Sequence, residues 1–579
     1  MKYRWTMRPV ENREALVRLQ HELNRLPEPL ARALVLRGIE TFDQARLFFR
    51  STSADLHDPF LMKDMHLAAA RVARARERGE CVLVYGDYDV DGTTSTALMT
   101  GFLRELGIQV DYFVPDRIEN GYGLGKVGID KALEIGAGLI IALDCGITAH
   151  DAAQYARQQG VDLIICDHHT PEETYPDAVA VLNPKRADCP YPFKELSGCG
   201  VGFKLLQAVL AEMGEDPARA YQYLDLVAVS IASDIVPLYG ENRILMRAGL
   251  EVLRSDPRMG LRKLAEMARV DLTTATTHHI VFGIGPRINA AGRMGDANRA
   301  VALLLEEDEA EATRLVFQLE QANIRRRTLD QETAAEAQTL AERHLEEHPH
   351  SIVLYGPDWH PGVIGIVASR LVERYYLPVI MLCRSNGIIK GSARSINGVS
   401  VYDALQACAD VLTGFGGHTH AAGVSLREEN LALFQRRFDE AVRTMVTPEL
   451  LLPEIEIDAG LELDAIDRRF WNVLKQFEPH GPHNSLPVFQ ARNLEILGNA
   501  RTVGKSGEHV KFAVRQIGSS DGRVMEVIGF GMQESMPLLQ ESRRDGKPIE
   551  LLFNIQENTW KGTTSLQIRA KDLRLQGAE

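Results

Sequence analysis

The sequence predicts an α/β protein with a parallel-sheet domain, a long connecting helix, a smaller α/β domain and a C-terminal OB-like β-barrel. From residue 81 onwards, short aliphatic runs alternate with helical segments, which is typical of a parallel sheet covered by helices. Residues 305–348 are highly charged and contain neither Pro nor Gly, so they should form one helix. After Pro453 the apolar residues alternate with polar ones, which favours a small barrel.

The elements of the two α/β domains can be placed on particular stretches. The strands predicted for the first domain are "CVLVYG", "IQVDYFVP", "GLIIALD", "VDLIICD" and "AVAVLN". The second domain is predicted from "SIVLYG", the helical "GVIGIVASRLVERY" and "PVIMLC". The predicted divisions are an N-terminal helical extension over 1–60, the first α/β domain over 61–304, the connecting helix over 305–349, the second α/β domain over 350–452 and the barrel over 453–579.

Composition narrows the class of protein. At 579 residues the chain is too long for one core, and its 45% hydrophobic and 25% charged residues are typical of globular domains. The net charge of -14 argues against a generic basic coat for nucleic acid, although basic residues could still be concentrated in one groove. Seven cysteines without a C-x-x-C pair, no signal sequence and no long apolar segment predict a cytoplasmic protein that does not use a membrane.

Polar side chains gather where the apolar runs end. In "CVLVYGDYDVDG", Asp87, Asp89 and Asp91 follow a predicted strand at alternate positions, although like charges this close repel each other. The other polar groups that follow apolar runs are Asp144, Asp167, His168, His169 and Asp234. A single aspartate at a strand end usually caps a helix or a turn, but the recurrence of such groups at one edge of a sheet favours a metal centre.

The donor types in this set indicate which metal would bind. Carboxylate oxygens with one or two imidazoles suit Mg²⁺ or Mn²⁺, and Mn²⁺ is better matched to imidazole. Two such cations about 3.5–4 Å apart can activate a water and stabilise the leaving oxygen of a phosphodiester. Bound cations would also neutralise the crowded aspartates, and Gly86 and Gly92 would let the backbone turn sharply beside them.

Several short motifs resemble those of a known family. "DYDVDG", "LDCG", "DHH" and "ASDIVPL", in this order, are similar to the motifs of the DHH phosphoesterase family. "GIGPRINAAGR", "GSARS" and "GGHTHAAG" resemble those of its single-strand-specific 5′→3′ DNA exonucleases. The resemblance covers residues 60–425 most strongly, and it implies that the two α/β domains are a DHH domain and a DHH-associated domain.

The resemblance also implies roles for particular residues. It assigns a two-metal site to Asp89, Asp91, Asp144, His168 and Asp234, with Asp144 bridging the cations. His169 would face the scissile phosphate, and Asp167 would orient a neighbouring imidazole. Many family members have a histidine where this chain has Tyr85, so Asp87 or water could take that ligand position.

A 5′-phosphate at the end of the strand calls for charged donors, preferably the two-pronged guanidinium of arginine. The resemblance assigns this role and close approach to the nucleotide to Arg117, Arg287, Ser392, Arg394, Gly416, Gly417 and His418. For Arg293, a surface ion pair and a phosphate contact are equally good interpretations.

Single-strand preference could come from a narrow channel with aromatic side chains. Tyr122, Trp359 and His360 are candidates for stacking on bases, although ordinary packing explains them equally well. On the barrel the candidates for binding the strand are Lys505, Lys511, Trp560 and Lys561. Arg325 to Arg327 are interpreted as a solvated helix face rather than a contact to the strand.

The expected function is therefore a single-stranded-DNA-specific 5′→3′ exonuclease that uses Mg²⁺ or Mn²⁺ and releases 5′-mononucleotides. The family further implies roles in recombination and in mismatch or base-excision repair, with a single-strand-binding protein and a RecQ-type helicase as partners. Two alternatives stay open: a phosphodiesterase or pyrophosphatase for small substrates, and a DNA-binding scaffold without activity. The scaffold is opposed by the complete set of acidic ligands.

Overall fold

The computed structural model describes residues 3–117, 121, 123–385, 387–519, 521–560 and 562–577. The chain forms two compact units. The unit that we call the two-sheet unit comprises Leu56–Val236 and Glu241–Pro453, and the barrel unit comprises Met1–Asp55, Pro237–Gly240 and Glu454–Glu579. None of the described helices is both long enough and apolar enough to cross a lipid bilayer.

The first sheet of the two-sheet unit is entirely parallel, as the alternation of strands and helices predicts. In spatial order its five strands are Val110–Phe113, Cys81–Gly86, Ala137–Leu143, Asp162–Cys166 and Ala180–Leu182. The helices of this part are Met65–Arg78, Val90–Glu105, Lys126–Glu134, His150–Gln158, Gly198–Glu212, Leu224–Ser233, Gly240–Ser255, Met259–Ala268, Thr277–His279, Gly285–Met294 and Asn298–Leu305. Because all five strands run the same way, their carboxyl ends meet at one edge of the sheet.

A helix of 39 residues, Glu309–Glu347, follows this part of the chain. Asp308 caps it by accepting a hydrogen bond from the Glu311 backbone N–H. The helix ends shortly before the second sheet begins, so the charged stretch without Pro or Gly does form one continuous helix.

The second sheet of the two-sheet unit is mixed. Its spatial order is Gly414–Gly417, Ala421–Leu426, Ile388–Arg394, Val379–Ser385 and Ile352–Tyr355, and only the last two strands are parallel. Helices Ile364–Tyr375, Val401–Gln406 and Leu431–Met445 belong to the same part of the chain. Phe434 and Phe438 lie fully buried in the core on one side of this sheet.

The barrel unit contains the predicted OB-like barrel. Its strands follow the order Ala459–Gly460, Phe489–Val503, His509–Gln516, Val524–Gly529, Thr563–Leu575 and Ile549–Trp560. Pairing of Phe489–Val503 with Ile549–Trp560 closes the sheet, and helices Arg468–Leu474 and Met536–Asp545 accompany it. Closure removes the exposed edges that an open sheet would present.

The N-terminal segment is helical, as expected, but it also contains a strand. Its helices are Arg13–Glu22, Glu28–Val35 and Phe42–Arg50. The additional strand, Arg4–Met7, pairs in parallel with Glu454–Ile457. Since this strand depends on a partner about 450 residues away, local sequence does not reveal it. The domain boundaries given by the sequence stay a prediction.

Candidate metal centre and substrate cleft

The turn after the first strand positions three aspartates. Asp89 caps helix Val90–Glu105, and its Oδ1 accepts a hydrogen bond of 3.0 Å from the Gly92 N–H. A Cβ atom on Gly92 would lie 2.3 Å from the Asp87 carbonyl oxygen, so the turn requires glycine there. Asp89 therefore caps the helix, which is the usual role of a single aspartate at a strand end. The same turn also brings Asp87 and Asp91 to the site.

Asp91 is held rigidly by donors from two later helices. Its Oδ2 accepts from the Gly198 N–H at 2.7 Å, and its Oδ1 accepts from the Cys199 N–H at 2.8 Å. The Ser230 hydroxyl donates to the same Oδ1 at 2.7 Å. Since these donors stabilise the ionised carboxylate in a fixed orientation, Asp91 is suited to act as a ligand.

Asp144 follows strand Ala137–Leu143 directly and adopts a left-handed backbone conformation with φ of 60°. Aspartate tolerates this region better than most residues, and such strain is found mainly at functional sites. Its Oδ1 lies 3.2 Å from His168 Nε2. A Cβ on Gly198 would come within 2.7 Å of the Asp144 Cβ, so these two backbone segments approach each other as closely as only glycine allows.

Asp234 reaches the site from a helix rather than from a strand. The sequence placed it at the edge of the sheet after an apolar run, but that run is helix Leu224–Ser233, and Asp234 ends it. The expectation was wrong because a short apolar run buried on all sides has no periodicity that separates helix from strand. Asp234 Oδ2 nevertheless lies 3.5 Å from His168 Nε2.

The predicted ligand set therefore comes together in space. Donor atoms within 4.8 Å of one another form three overlapping groups: Asp87, Asp89 and Asp144; Asp91, His168 and Asp234; and Asp144, His168 and His169. The first group contains only oxygens, which suits Mg²⁺ or Mn²⁺, and the second contains an imidazole, which suits Mn²⁺ better. Asp144 belongs to two groups and could serve both.

The burial and charge of these groups fit a site for divalent cations. Asp87 Oδ1, Asp144 Oδ1, Asp234 Oδ2 and both ring nitrogens of His168 are buried and have no hydrogen-bond partner among the described residues. Burial, followed by the charge of Asp89, raises the pKa of Asp87 to about 8. Burial and neighbouring aspartates also raise the pKa values of Asp144 and Asp234 well above the usual range. Unpaired buried acceptors are costly, and bound cations would remove that cost.

Asp167 acts through its neighbour His169. Its Oδ1 lies 2.7 Å from His169 Nδ1, and its Oδ2 accepts from the Ile147 N–H at 2.9 Å. Burial alone would raise the pKa of Asp167, but the hydrogen bonds and charge of His169 lower it to about 2. The ionised Asp167 therefore fixes the proton of His169 on Nδ1 and orients the ring, as the sequence predicted.

Tyr85 does not take the place of an imidazole ligand. It is fully buried, and its hydroxyl donates to the Gly123 carbonyl oxygen at 2.9 Å. A Cβ on Gly128 would lie 2.5 Å from the Tyr85 ring, so the ring packs tightly against the Gly128 backbone in the core. Asp87 is present in the all-oxygen group instead, which favours the first of the two substitutes considered for this position.

A cavity of about 370 Å³ lies in the same unit and is lined by residues from both α/β parts. Five of the predicted substrate-binding residues line it: Arg117, Ser392, Arg394, Gly416 and Gly417. His418 follows them on an exposed turn, where its backbone N–H donates to Ala421, but its side chain is not part of the lining.

Arg287 lies outside this cavity, and Arg293 lines it instead. Arg287 Nε lies 2.6 Å from Glu320 Oε2, and its Nη1 donates to the Gly283 carbonyl oxygen at 2.7 Å. Both arginines belong to helix Gly285–Met294, where a separation of six residues turns them about 120° apart around the axis. The "GPRINAAGR" stretch contains both arginines, and only the packing of this helix shows which one faces the cavity.

Arg293 belongs to a cluster of guanidinium groups. Burial and the positive charges of Arg117, Arg326 and Arg394 lower the pKa of Arg293 to about 10. Repulsion among cations in a concave, half-buried site is relieved when an anion binds. The cavity is therefore suited to phosphate.

Other expectations for the strand-binding residues have mixed outcomes. Trp359 is only 5% exposed and its indole donates to Glu336, so it cannot stack on a base. Arg326 is not solvated, because it donates to Asn323 and lies 3.7 Å from Asp330. Lys511 pairs with Glu526, and Lys505 is exposed. Tyr122, Lys561 and the side chain of Trp560 lie outside the described residues.

The close approach of Gly198 to Asp144 leads to a prediction about Mn²⁺ binding. Gly198→Ala should displace Asp144 and weaken Mn²⁺ binding by about tenfold or more, as measured by calorimetry on the full chain. Gly200→Ala is the matched control, because its Cβ would meet neighbours only at 3.4 Å or more. Equal Mn²⁺ affinity of the two variants would contradict the geometry.

The raised pKa of Asp87 predicts a pH-dependent effect of cations on stability. The protonated carboxyl group of Asp87 stabilises the folded state fully at pH values below the pKa that Asp87 has in the unfolded chain. This stabilisation is lost as the pH rises through the folded-state pKa of about 8. Mn²⁺ binds the deprotonated form, so it should raise the melting temperature more at about pH 8.5 than at about pH 6. The difference should shrink in Asp87→Asn, and a Mn²⁺ effect independent of pH would contradict this account.

Comparisons with known proteins agree with this geometry. Three family models match: the DHH family N-terminal domain over residues 81–231, the DHHA1 domain over 348–444 and the RecJ OB domain over 457–572. The single-stranded-DNA-specific exonuclease RecJ of Bacillus subtilis (strain 168) is 37% identical, covering 99% of this chain and 71% of that protein. RecJ of Escherichia coli (strain K12) is 35% identical, covering 94% and 95%.

Solved structures give the same result for the fold. The crystal structure of RecJ in complex with Mn²⁺ from Thermus thermophilus matches with a TM-score of 0.84 at 31% identity. That match covers 100% of this chain and 80% of the other. It confirms the α/β fold class, with DHH, DHH-associated and OB-like parts, that the sequence predicted. The chain belongs to the RecJ family of single-stranded-DNA-specific exonucleases.

Proposed function

We propose that this protein hydrolyses single-stranded DNA from its 5′ end and releases 5′-mononucleotides. The observation that carries the proposal is the convergence of six buried or half-buried acidic and imidazole ligands, Asp87, Asp89, Asp91, Asp144, His168 and Asp234, in the unit whose arginine-rich cavity is suited to phosphate. These ligands would hold divalent cations, which supply the charge needed for phosphodiester hydrolysis, and the arginines would hold the strand.

The ligands fall into two sets that would hold two divalent cations. Asp87, Asp89 and Asp144 form one set, and Asp91, His168 and Asp234 form the other, with Asp144 between them. When bound, the cations supply positive charge that activates water and stabilises the leaving oxygen. The chain's own contribution is orientation: backbone N–H groups fix Asp91, and Asp167 fixes the ring of His169 towards its role at the scissile phosphate.

The polarity of cleavage would follow from an anion site for the 5′ end. Ser392 and Arg394 lie on the same face of strand Ile388–Arg394, and Arg394 Nη1 donates to Ser392 Oγ at 2.9 Å. Arg117 packs over the Tyr88 ring at 5.2 Å, and Arg293 completes the cluster. A terminal phosphate bound by these donors would place the first phosphodiester, rather than an internal one, at the cations.

The barrel would bind the strand further from the cut. Phe530 is 48% exposed, the Arg569 guanidinium lies 5.1 Å from its ring centroid and His509 packs edge-on at 4.9 Å. His509 begins one strand, Phe530 directly follows the neighbouring strand Val524–Gly529, and Arg569 lies on the next strand. An exposed aromatic ring with a guanidinium beside it on an OB fold suits base stacking and phosphate contact.

The wider role is part of the proposal. RecJ-type activity would serve recombination and mismatch or base-excision repair, and a single-strand-binding protein and a RecQ-type helicase are the partners that the family implies. A cytoplasmic location stays an expectation from the sequence.

The proposed sharing of Asp144 between two cations leads to the first prediction of this proposal. Asp144→Asn should abolish cleavage of single-stranded DNA while the full chain still binds the strand, because one amide oxygen cannot replace a carboxylate shared by two cations. Asp151→Asn, on the surface of a nearby helix, is the control and should cleave normally. Near-normal turnover by purified Asp144→Asn would refute the two-metal assignment.

The two arginines of helix Gly285–Met294 make the second prediction. Arg293→Ala should reduce the preference for a 5′-phosphate over a 5′-hydroxyl strand by about tenfold in kcat/KM, since it removes a charged donor. Arg394→Ala should behave in the same way. Arg287→Ala should keep the preference but lower the melting temperature, because it leaves Glu320 without its partner. If Arg287→Ala lost the preference and Arg293→Ala kept it, the assignment would be reversed.

A further inference from the structure

The barrel unit contains an apolar groove that shares no residue with the metal centre or the arginine-rich cavity. The groove has a volume of about 260 Å³. Its apolar lining residues are Leu23, Leu26, Phe42, Ala45, Phe49 and Val473. Leu26 and Ala45 belong to the hydrophobic core of this unit, so the groove reaches down to that core.

One side of helix Phe42–Arg50 forms a wall of the groove over its whole length. The lining residues of this helix are Phe42, Ala45, Arg46, Phe49 and Arg50, which follow the spacing of a single helical face. At 1.5 Å per residue, this wall is about 12 Å long. The Phe42 side chain is 48% exposed. An exposed apolar side chain that continues into a groove is typical of a surface where another molecule binds.

Arginines lie along the rim of the groove. Arg46 and Arg50 line it one helical turn apart. Arg46 lies 3.9 Å from Asp43, a carboxylate that is 87% exposed, so water screens this pair and leaves the Arg46 charge available. Arg50 forms no ion pair with any residue that the structure describes.

Two further arginines lie at the turn that follows helix Arg13–Glu22. Arg25 is exposed in this turn, and Arg469 donates to the Asn24 carbonyl oxygen at 3.3 Å. Within the described ranges neither guanidinium has a carboxylate partner. Positive charge is therefore concentrated around the groove, although the chain carries a net charge of -14.

We propose that this groove binds an acidic peptide segment of a partner protein. Apolar side chains of the peptide enter the groove, and its carboxylates pair with Arg46 and Arg50 at the rim. An apolar centre with arginine and aromatic residues around it is typical of the part of an interface that contributes most to binding.

An acidic peptide fits the lining better than other anionic ligands do. The volume lies below the range of about 300–1,000 Å³ that is usual for sites of small molecules. Single-stranded DNA is also anionic, but its bases have polar edges, and the mostly aliphatic lining offers Gln476 as its uncharged polar side chain. Base edges buried against leucine, alanine and valine would lose hydrogen bonds to water without replacement. Leucine or phenylalanine side chains of a peptide lose none.

The test measures binding of a defined peptide to the full-length protein by fluorescence anisotropy. The probe is a fluorescein-labelled peptide of aspartate and glutamate residues around one phenylalanine and two leucines. The double variant Arg46→Glu/Arg50→Glu should bind it about tenfold more weakly or worse, because two attractive contacts become repulsive. Phe42→Ser should weaken binding about as much, since it removes apolar contact at the rim. A second peptide, with serine in place of its apolar residues, should bind weakly to every protein.

Two control variants change similar side chains outside the groove. Leu47→Ser alters a leucine that is 40% exposed on the same helix but absent from the lining, and Arg543→Glu reverses an exposed arginine elsewhere in the barrel unit. Both should bind the peptide as the unsubstituted protein does. Equal weakening by the controls, or no binding of the peptide by the unsubstituted protein, would overturn the proposal.

A labelled single-stranded oligonucleotide separates the groove from the path of the DNA. The groove variants should bind it and cleave it with Mn²⁺ as the unsubstituted protein does. If they lost affinity for the oligonucleotide and kept affinity for the peptide, the groove would bind DNA and the proposal would be wrong. Failure of the unsubstituted protein to cleave any single strand would instead overturn the proposed function, which the peptide measurements do not involve.

Discussion

The structure depends on holding like charges together at one edge of a parallel sheet. Asp87, Asp91 and Asp144 are almost fully buried, and this burial, followed by repulsion from neighbouring aspartates, raises the pKa values of Asp87 and Asp144. Backbone N–H groups at the start of helix Gly198–Glu212 stabilise Asp91, and divalent cations would balance the rest. The glycines at the tight turns and the left-handed backbone of Asp144 are consequences of this crowding.

An opposite charge distribution lies in the same unit. The arginines that line the cavity come from both α/β parts, and Arg293 is repelled by Arg117, Arg326 and Arg394. An acidic centre next to a basic cavity reconciles a net charge of -14 with a nucleic-acid substrate, because the positive charge is local. A phosphodiester strand would complete both sites, since it supplies anions to the arginines and a reacting group to the cations.

Much of this could be predicted from residue patterns. The strands of the first sheet, the helix Glu309–Glu347 and the presence of a barrel after Pro453 follow from apolar periodicity, which reports burial locally. Asp234 was placed on the wrong kind of element, because a fully buried helix has no polar face to reveal its period. Trp359 was offered as a stacking surface although it is buried, because the sequence does not distinguish a core aromatic residue from an exposed one.

The sequence by itself determined the fold class, the order of the elements and the candidate acidic and imidazole groups that the fold brings together, because these depend on local patterns and on motifs a few residues long. Only the tertiary structure decided which arginine of helix Gly285–Met294 faces the cavity, which nitrogen of His169 carries its proton and that Asp87 joins Asp89 and Asp144. Those facts depend on the rotation of a helix, a backbone turn and contacts between distant segments. Such contacts are set by packing and leave no local trace in the chain.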